Sequence, residues 1–128
     1  MTFEAFELMI KSQDTELLRK AITALDSDIR LIPRGQKTII STWMKNDYHC
    51  QQAGITSTAY YNRLKWSPQE RTSSIGTKNI HEKAIAILWL FYKFKGVVPL
   101  FNENGILQLT STIAKNGVQD YHLNYEIH

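Results

Sequence analysis

The sequence predicts a mainly α (α+β) fold: a helix-turn-helix helical domain with a long buried helix and a C-terminal β-hairpin. Three patterns predict it. Residues 80–95 are apolar almost all round, as in a helix enclosed by its own fold. Residues 37–66 give helical stretches broken at Gly54, which suits a tight turn. After residue 106 the apolar period changes to strict alternation, the mark of strands.

The elements follow in order. Phe3, Phe6, Met9 and Ile10 mark one side of a short helix over 3–11. Asp14 reads as the N-cap of a second helix, with Glu16 in its first turn where the helix dipole favours an anion. Leu17, Leu18, Ala21, Ile22 and Leu25 follow at helical spacing, and Glu16, Arg19, Lys20 and Thr23 fall on the opposite face. Asp26 and Asp28 oppose the dipole at a C-terminus, so this helix is expected to stop near Leu25. Ile29–Ile32 then reads as an extended piece before Pro33, since proline disfavours helix in the residue before it.

Residues 37–46 read as a helix with Ile39, Ile40, Trp43 and Met44 inward. A short helix over 47–53 has Tyr48, Cys50 or His49, and Ala53 for its inner face. Gly54 opens the turn, Ile55 plugs it, and Thr56 or Ser57 caps the next helix. In that helix Tyr60 and Leu64 share a side, leaving Ser57, Thr58, Tyr61, Asn62 and Lys65 outward. Ser67-Pro68 is a helix-start signal, and 72–77, TSSIGT, reads as a loop or hinge. Asn79 with Glu82 forms a capping box for the apolar helix, and Gly96 closes it. Leu107, Leu109 and Ile113 alternate with polar residues, as do Tyr121, Leu123, Tyr125 and Ile127. Asn116-Gly117 lies between the two runs, so a hairpin of 106–113 with 118–126 follows.

A chain of 128 residues with 43% apolar and 21% charged content fits a single domain over 1–128 with a real core. The single cysteine, Cys50, allows no disulfide within the chain and fits a reducing cytoplasm. The first residues carry no leader pattern, and the longest apolar run, 84–92, is too short to span a bilayer. The net charge of +3 is segregated. Residues 1–29 hold six acids against three bases; residues 30–95 hold eleven bases against three acids; residues 96–128 hold three acids against one base. The basic block contains the glycine turn, and double-stranded DNA is the natural partner of such a block. The plain alternative is a solvated face with chance clustering.

Cys50, Gly54, Ile55, Thr56, Tyr60, Tyr61 and Leu64 together resemble the helix-turn-helix of insertion-sequence transposases and related phage transcription regulators. The resemblance covers 50–66. Arg63 departs from it, standing where many such units have an apolar residue. Ile32-Pro33-Arg34-Gly35-Gln36 is also similar to a phrase that precedes the helix-turn-helix in middle-operon activators of Mu-like phages, where it looks like a strand beside the DNA-binding helices. The resemblance implies a sequence-specific regulator of a phage or mobile element, with the helix from Ser57 to Lys65 in the major groove. Ser57, Thr58, Tyr61, Asn62, Arg63 and Lys65 are the expected contacts, with Arg34 and Lys37 at flanking phosphates. It implies no strand transfer, because 128 residues leave no room for a second, catalytic domain.

No phosphate-binding glycine loop, nucleophile elbow or paired-histidine zinc motif occurs, so no enzyme, cofactor or metal is expected. His49 stands beside Cys50, but His81, His122 and His128 are scattered. Two copies could pair through the 80–95 helix or the C-terminal hairpin, with a buried monomer helix as the equal alternative. The competing function is a protein-interaction module, an immunity protein or an inhibitor of a host enzyme or polymerase. It rests on the aromatics Trp89, Phe91, Tyr92, Tyr121 and Tyr125.

Overall fold

The computed structural model describes residues 1–30, 34–55, 79–113, 115–117 and 119–128; within them, the backbone alone at 26–30, 34, 36–38, 40 and 41. Among these residues lie helices α1 (Phe3–Lys11), α2 (Thr15–Arg30), α3 (Arg34–Asn46), α4 (Tyr48–Gln52) and α5 (Ile80–Lys95). Strands β1 (Val97–Pro99), β2 (Leu109–Ile113), β3 (Gln119–Leu123) and β4 (Tyr125–Ile127) follow. The architecture is mixed α+β, helices with two small antiparallel sheets, β1 with β4 and β2 with β3. None of the described helices is long and apolar enough to cross a membrane.

The apolar helix α5 is the axis of the core. Ile80 and every residue from Ala84 to Phe91 are buried, and α1, α2 and α4 pack against it. This all-round burial inside one chain is the arrangement that its unbroken hydrophobic composition calls for. Gly96 ends α5 in the left-handed region at φ 67°, its N–H bonded to Tyr92 O. There Val97 begins β1, and His128 N donates to Gly96 O at 2.8 Å. A Cβ on Gly96 would stand 2.1 Å from His128 O, so the closure admits only glycine.

α1 presents Phe6 and Ile10 to the core, as its spacing predicts. Asp14 caps α2, its Oδ2 accepting from Glu16 N and Leu17 N at 3.0 and 3.3 Å. Two expectations for α2 need correction. The helix does not stop near Leu25 but continues to Arg30, so Ile29 is helical and not extended. Running on to Arg30 takes Asp26 out of the last turn and ends the helix on a basic residue, which the dipole favours. Thr23, assigned to the outer face, is buried, and its hydroxyl donates back to Arg19 O at 3.1 Å.

The capping box at the start of α5 does not form. Asn79 holds the N-cap position in the left-handed region at φ 56° and makes no side-chain cap bond. His81 and the residue Gln13 fasten this end instead. Gln13 Nε2 donates to Met9 O and Gly105 O, Gln13 Oε1 accepts from Leu107 N, and His81 Nε2 bonds Gln13 O at 3.0 Å. The Gln13 side chain thus joins α1 to the turn before β2 with its buried polar atoms satisfied, and its backbone carbonyl holds His81 in the first turn of α5.

The hairpin forms around Asn116-Gly117, with Leu109↔Leu123 and Ile113↔Gln119 at the ends of its ladder. Its strands are shorter than expected. Residues 125–127 leave the hairpin and pair with β1, Val97↔Ile127 and Pro99↔Tyr125. The crossover is at Asn124, whose N donates to Gln108 O while its own carbonyl accepts from Leu100 N. Through β3 the hairpin lies on α2, where Lys20 Nζ stands 5.5 Å from the Tyr121 ring centre.

Candidate nucleic-acid interface

The local sequence joins α3, α4 and the turn after them through specific contacts. α3 ends at Asn46, and Asp47 takes extended geometry as the N-cap of α4. Its Oδ2 accepts from Cys50 N at 2.9 Å, filling one of the free donors at a helix start. α4 closes in a Schellman motif: Ile55 N donates to Cys50 O at 2.9 Å and Gly54 N to Gln51 O at 3.1 Å. Gly54 sits at φ 74°, the left-handed position expected of it. Ile55 packs half-buried against the core, and Cys50 is fully buried. Those motif residues therefore take the places assigned to them.

The anchoring differs from expectation. Ile39 was placed inward but is 47% exposed, and Tyr48, named for the inner face of α4, is 66% exposed. Among the side chains described in α3 and α4, Met44 and Cys50 are the buried apolar ones. The last turn of α5 supplies the rest. Trp43 stacks on Phe94 with ring centres 4.4 Å apart and planes 11° off parallel. Lys95 Nζ lies 5.7 Å from the Trp43 ring centre, within cation–π range. Lys93 Nζ donates to Asp47 Oδ1, so the capping carboxylate is also an ion pair across 46 positions. On the other side His49 stacks on Phe3, ring centres 3.9 Å apart, and ties α4 to α1.

These contacts set the local electrostatics. The Asp47 side chain is 3% exposed and that of Lys93 is 34% exposed. Burial pushes the Asp47 carboxyl up, but the bonds from Lys93 and Cys50 together outweigh it and hold it below the usual range. The Cys50 thiol is pushed up to about 12, first by burial and then by the neighbouring Asp47 charge. Cys50 is accordingly an inert core residue, its Sγ directed at Ala86 O. The pair takes one acid and one base of the basic block, leaving ten bases against two acids and the same net balance.

Arg34 and Lys37 lie in the first turns of α3, whose backbone carries them directly before this unit. The extended strand implied for residues 34–36 is corrected: they are helical. Ser57, Thr58, Tyr61, Asn62, Arg63 and Lys65 lie outside the described residues, as do Thr56, Tyr60, Leu64, Ser67-Pro68 and the 72–77 hinge. What the described part brings together is the platform from which that segment departs.

Beside the platform, a cleft of ≈ 170 Å³ is lined by Phe3, Glu7, His49, Gln52, Glu82 and Ile85. It is smaller than the few hundred Å³ typical of organic-ligand sites. Among the described residues no group of three or more His, Cys, Asp or Glu side chains converges on a metal position. The Asp47–Lys93 pair and the Gln13 junction were missed by the sequence reading. Asp47 is a residue type that suits a helix cap, but nothing local signals that the distant Lys93 would share it. Comparison with protein-family models, curated proteins and solved structures returned no match.

Proposed function

We propose that the chain is a sequence-specific transcription regulator that binds double-stranded DNA through a helix-turn-helix, in the cytoplasm of a host of the phage or mobile element that encodes it. The observation that carries this reading is the α3–α4–Gly54 platform. It is capped, closed by a Schellman turn and clipped to α5, and it delivers the chain at Ile55 into residues 56–78, which hold four bases against one acid. No catalytic role and no cofactor are part of the proposal.

In this mechanism lysine and arginine side chains release counterions from phosphates and supply most of the affinity. The helix from Ser57 to Lys65 enters the major groove. Asn62 pairs with adenine, and Arg63 or Lys65 with guanine, following the donor and acceptor patterns of the base edges. Ser57 and Thr58 at the helix start meet a base or a phosphate, and Tyr61 adds to the contact surface. Arg34 and Lys37 hold flanking phosphates. Titration of duplex DNA over a salt series tests the proposal. Four to five phosphate contacts give a slope of about −4 in log affinity against log salt. Asn62→Ala lowers discrimination between sequences, whereas Lys37→Ala weakens binding to all sequences alike and lowers the slope by about 1. Absence of binding at low salt refutes the proposal.

A second reading is a protein-interaction module without DNA binding, such as an immunity protein or an inhibitor of a host enzyme or polymerase. It draws on the exposed apolar side chains Leu8, Tyr48, Ile113 and Ile127. The same salt series separates the two readings. For a homodimer, burial of Ile80 and Ala84–Phe91 within one chain favours the C-terminal hairpin over α5 as the contact.

A further inference from the structure

We propose that β2 is the seam of a two-fold homodimer, formed by antiparallel pairing of Leu109–Ile113 with the same strand of a second copy. The proposal goes beyond the DNA reading and stands without it.

The argument begins with the direction of the backbone groups. Asn124 N donates to Gln108 O in line with the β2–β3 register, which sets the phase of the ladder with 108 and 124 at a bonded position, the other two groups of this pair being taken by Leu100. Hydrogen-bonded and non-bonded pairs alternate along an antiparallel ladder. Thr110↔His122 and Thr112↔Asp120 are therefore the bonded pairs. Leu109, Ser111 and Ile113 aim their N–H and C=O groups away from β3. These groups have no partner among the described residues, and β2 ends the sheet on that side.

Beyond Leu109, which packs half-buried against the core, the strand is bare on both faces. Thr110, Ser111, Thr112 and Ile113 are all exposed, Ile113 at 73%. Edge strands are normally protected by a charge, a proline or a bulge. The sequence Leu-Thr-Ser-Thr-Ile has none of these.

The occupant is identified by the symmetry of that sequence about Ser111. In a two-fold antiparallel seam centred there, Ser111 faces Ser111 of the second copy, Thr110 faces Thr112, and Leu109 faces Ile113. The outward backbone groups are those of Leu109, Ser111 and Ile113, so the facing pairs Ser111–Ser111 and Leu109–Ile113 fall in bonded phase. The Thr–Thr and Leu–Ile pairs are favourable cross-strand combinations, and no like charges meet. The contact is isologous, so it closes on itself and does not propagate. The result is a continuous sheet in the order β3, β2, β2 of the second copy, β3 of the second copy.

Sedimentation equilibrium of the full chain over a concentration series tests the seam. The small contact gives a dissociation constant on the order of 10–100 µM. Ser111→Pro removes an outward N–H and leaves the β2–β3 bonds in place, a position where an edge strand accepts proline. It raises the dissociation constant by about tenfold or more while the circular dichroism spectrum is unchanged. Ser111→Cys provides an independent readout should the proline variant not fold. The facing Cα atoms of a bonded pair stand about 5.5 Å apart, within disulfide reach, so mild oxidation gives a cross-linked dimer. Lys115→Cys, whose two copies would be more than about 20 Å apart in this register, does not cross-link. A wild-type monomer at about 1 mM, a proline variant that dimerises as well as wild type, or equal cross-linking at both cysteines overturns the proposal.

Discussion

Replacing Lys93 by methionine isolates the ion pair that holds α4 to α5. Methionine keeps much of the side-chain bulk, but the Asp47 carboxylate, 3% exposed, loses its cation and retains only the Cys50 N–H bond. Breaking a fully buried pair by removing one partner costs about 3–5 kcal/mol. Lys93 is one-third exposed, and solvent screens the pair, so the expected loss is about 2 kcal/mol. For a domain of this size that lowers the melting temperature by about 6–10 °C at neutral pH. The loss depends on pH with a definite sign. In the wild type the folded-state carboxyl is depressed, so its contribution is present above the unfolded value and lost as pH falls through the folded one. Without Lys93 two of the contributions that depress the carboxyl are gone, so the variant loses less than the wild type when Asp47 takes up a proton. The deficit is therefore largest at neutral pH and narrows towards pH of about 4. Asp47→Asn keeps a capping side chain without the charge, and combined with Lys93→Met it costs less than the sum of the single changes. Urea denaturation at both pH values, applied to the four proteins of the cycle, measures each quantity. Additive losses, or a Lys93→Met deficit that does not change with pH, refute the reasoning.

The two glycines that end α4 and α5 separate backbone strain from collision. Gly54→Ala meets no atom within 4 Å of the new Cβ, so it costs only the left-handed backbone penalty, about 1–2 kcal/mol. Gly96→Ala adds a collision with the backbone at His128 and costs at least about 1 kcal/mol more; thermal melts that rank the two equally contradict the closure described at Gly96. Cys50, buried and with its thiol pushed up to about 12, resists iodoacetamide at pH 8 in the folded protein and reacts only in urea. Mass spectrometry that finds rapid alkylation of folded protein would show that α4 does not stay docked.

What could be read from the sequence follows the range of each interaction. α1 and α5 lie where their apolar spacing puts them, and Gly54, Gly96 and Asn116-Gly117 mark real turns, because those signals are local. The end of α2 was misjudged because the rule about terminal acids was applied one turn too early: the helix runs on to Arg30, a basic residue that suits a C-terminus. The β1–β4 pair was missed for a different reason. Tyr125 and Ile127 continue the alternation of β3, and nothing in the alternation tells which partner each half of the run will take. Asp47 was legible as a cap but not as a charge partner, since Lys93 lies on a helix whose composition is dominated by apolar residues. Of the candidate site, the sequence located the platform and its turn residues, while Ile39 and Tyr48 were turned the wrong way.

Those two misplacements bear on how the platform is held. If Ile39 and Tyr48 had faced inward, ordinary hydrophobic burial would anchor α3 and α4, at about 1.5–3 kcal/mol for each large side chain. Instead both are exposed, and Met44 and Cys50 are the buried apolar contacts described. Among the described side chains, further hold comes from directional contacts: the His49–Phe3 stack to α1 and, from the last turn of α5, the Trp43–Phe94 stack, the Lys95 cation over Trp43 and the Asp47–Lys93 pair. Hydrophobic burial tolerates sliding, whereas a stacked ring and a capped ion pair fix orientation as well as distance. A platform fixed in orientation is what the proposed reading of a duplex groove requires. The contacts that look modest by buried area are therefore the ones on which the proposed function places the greatest demand.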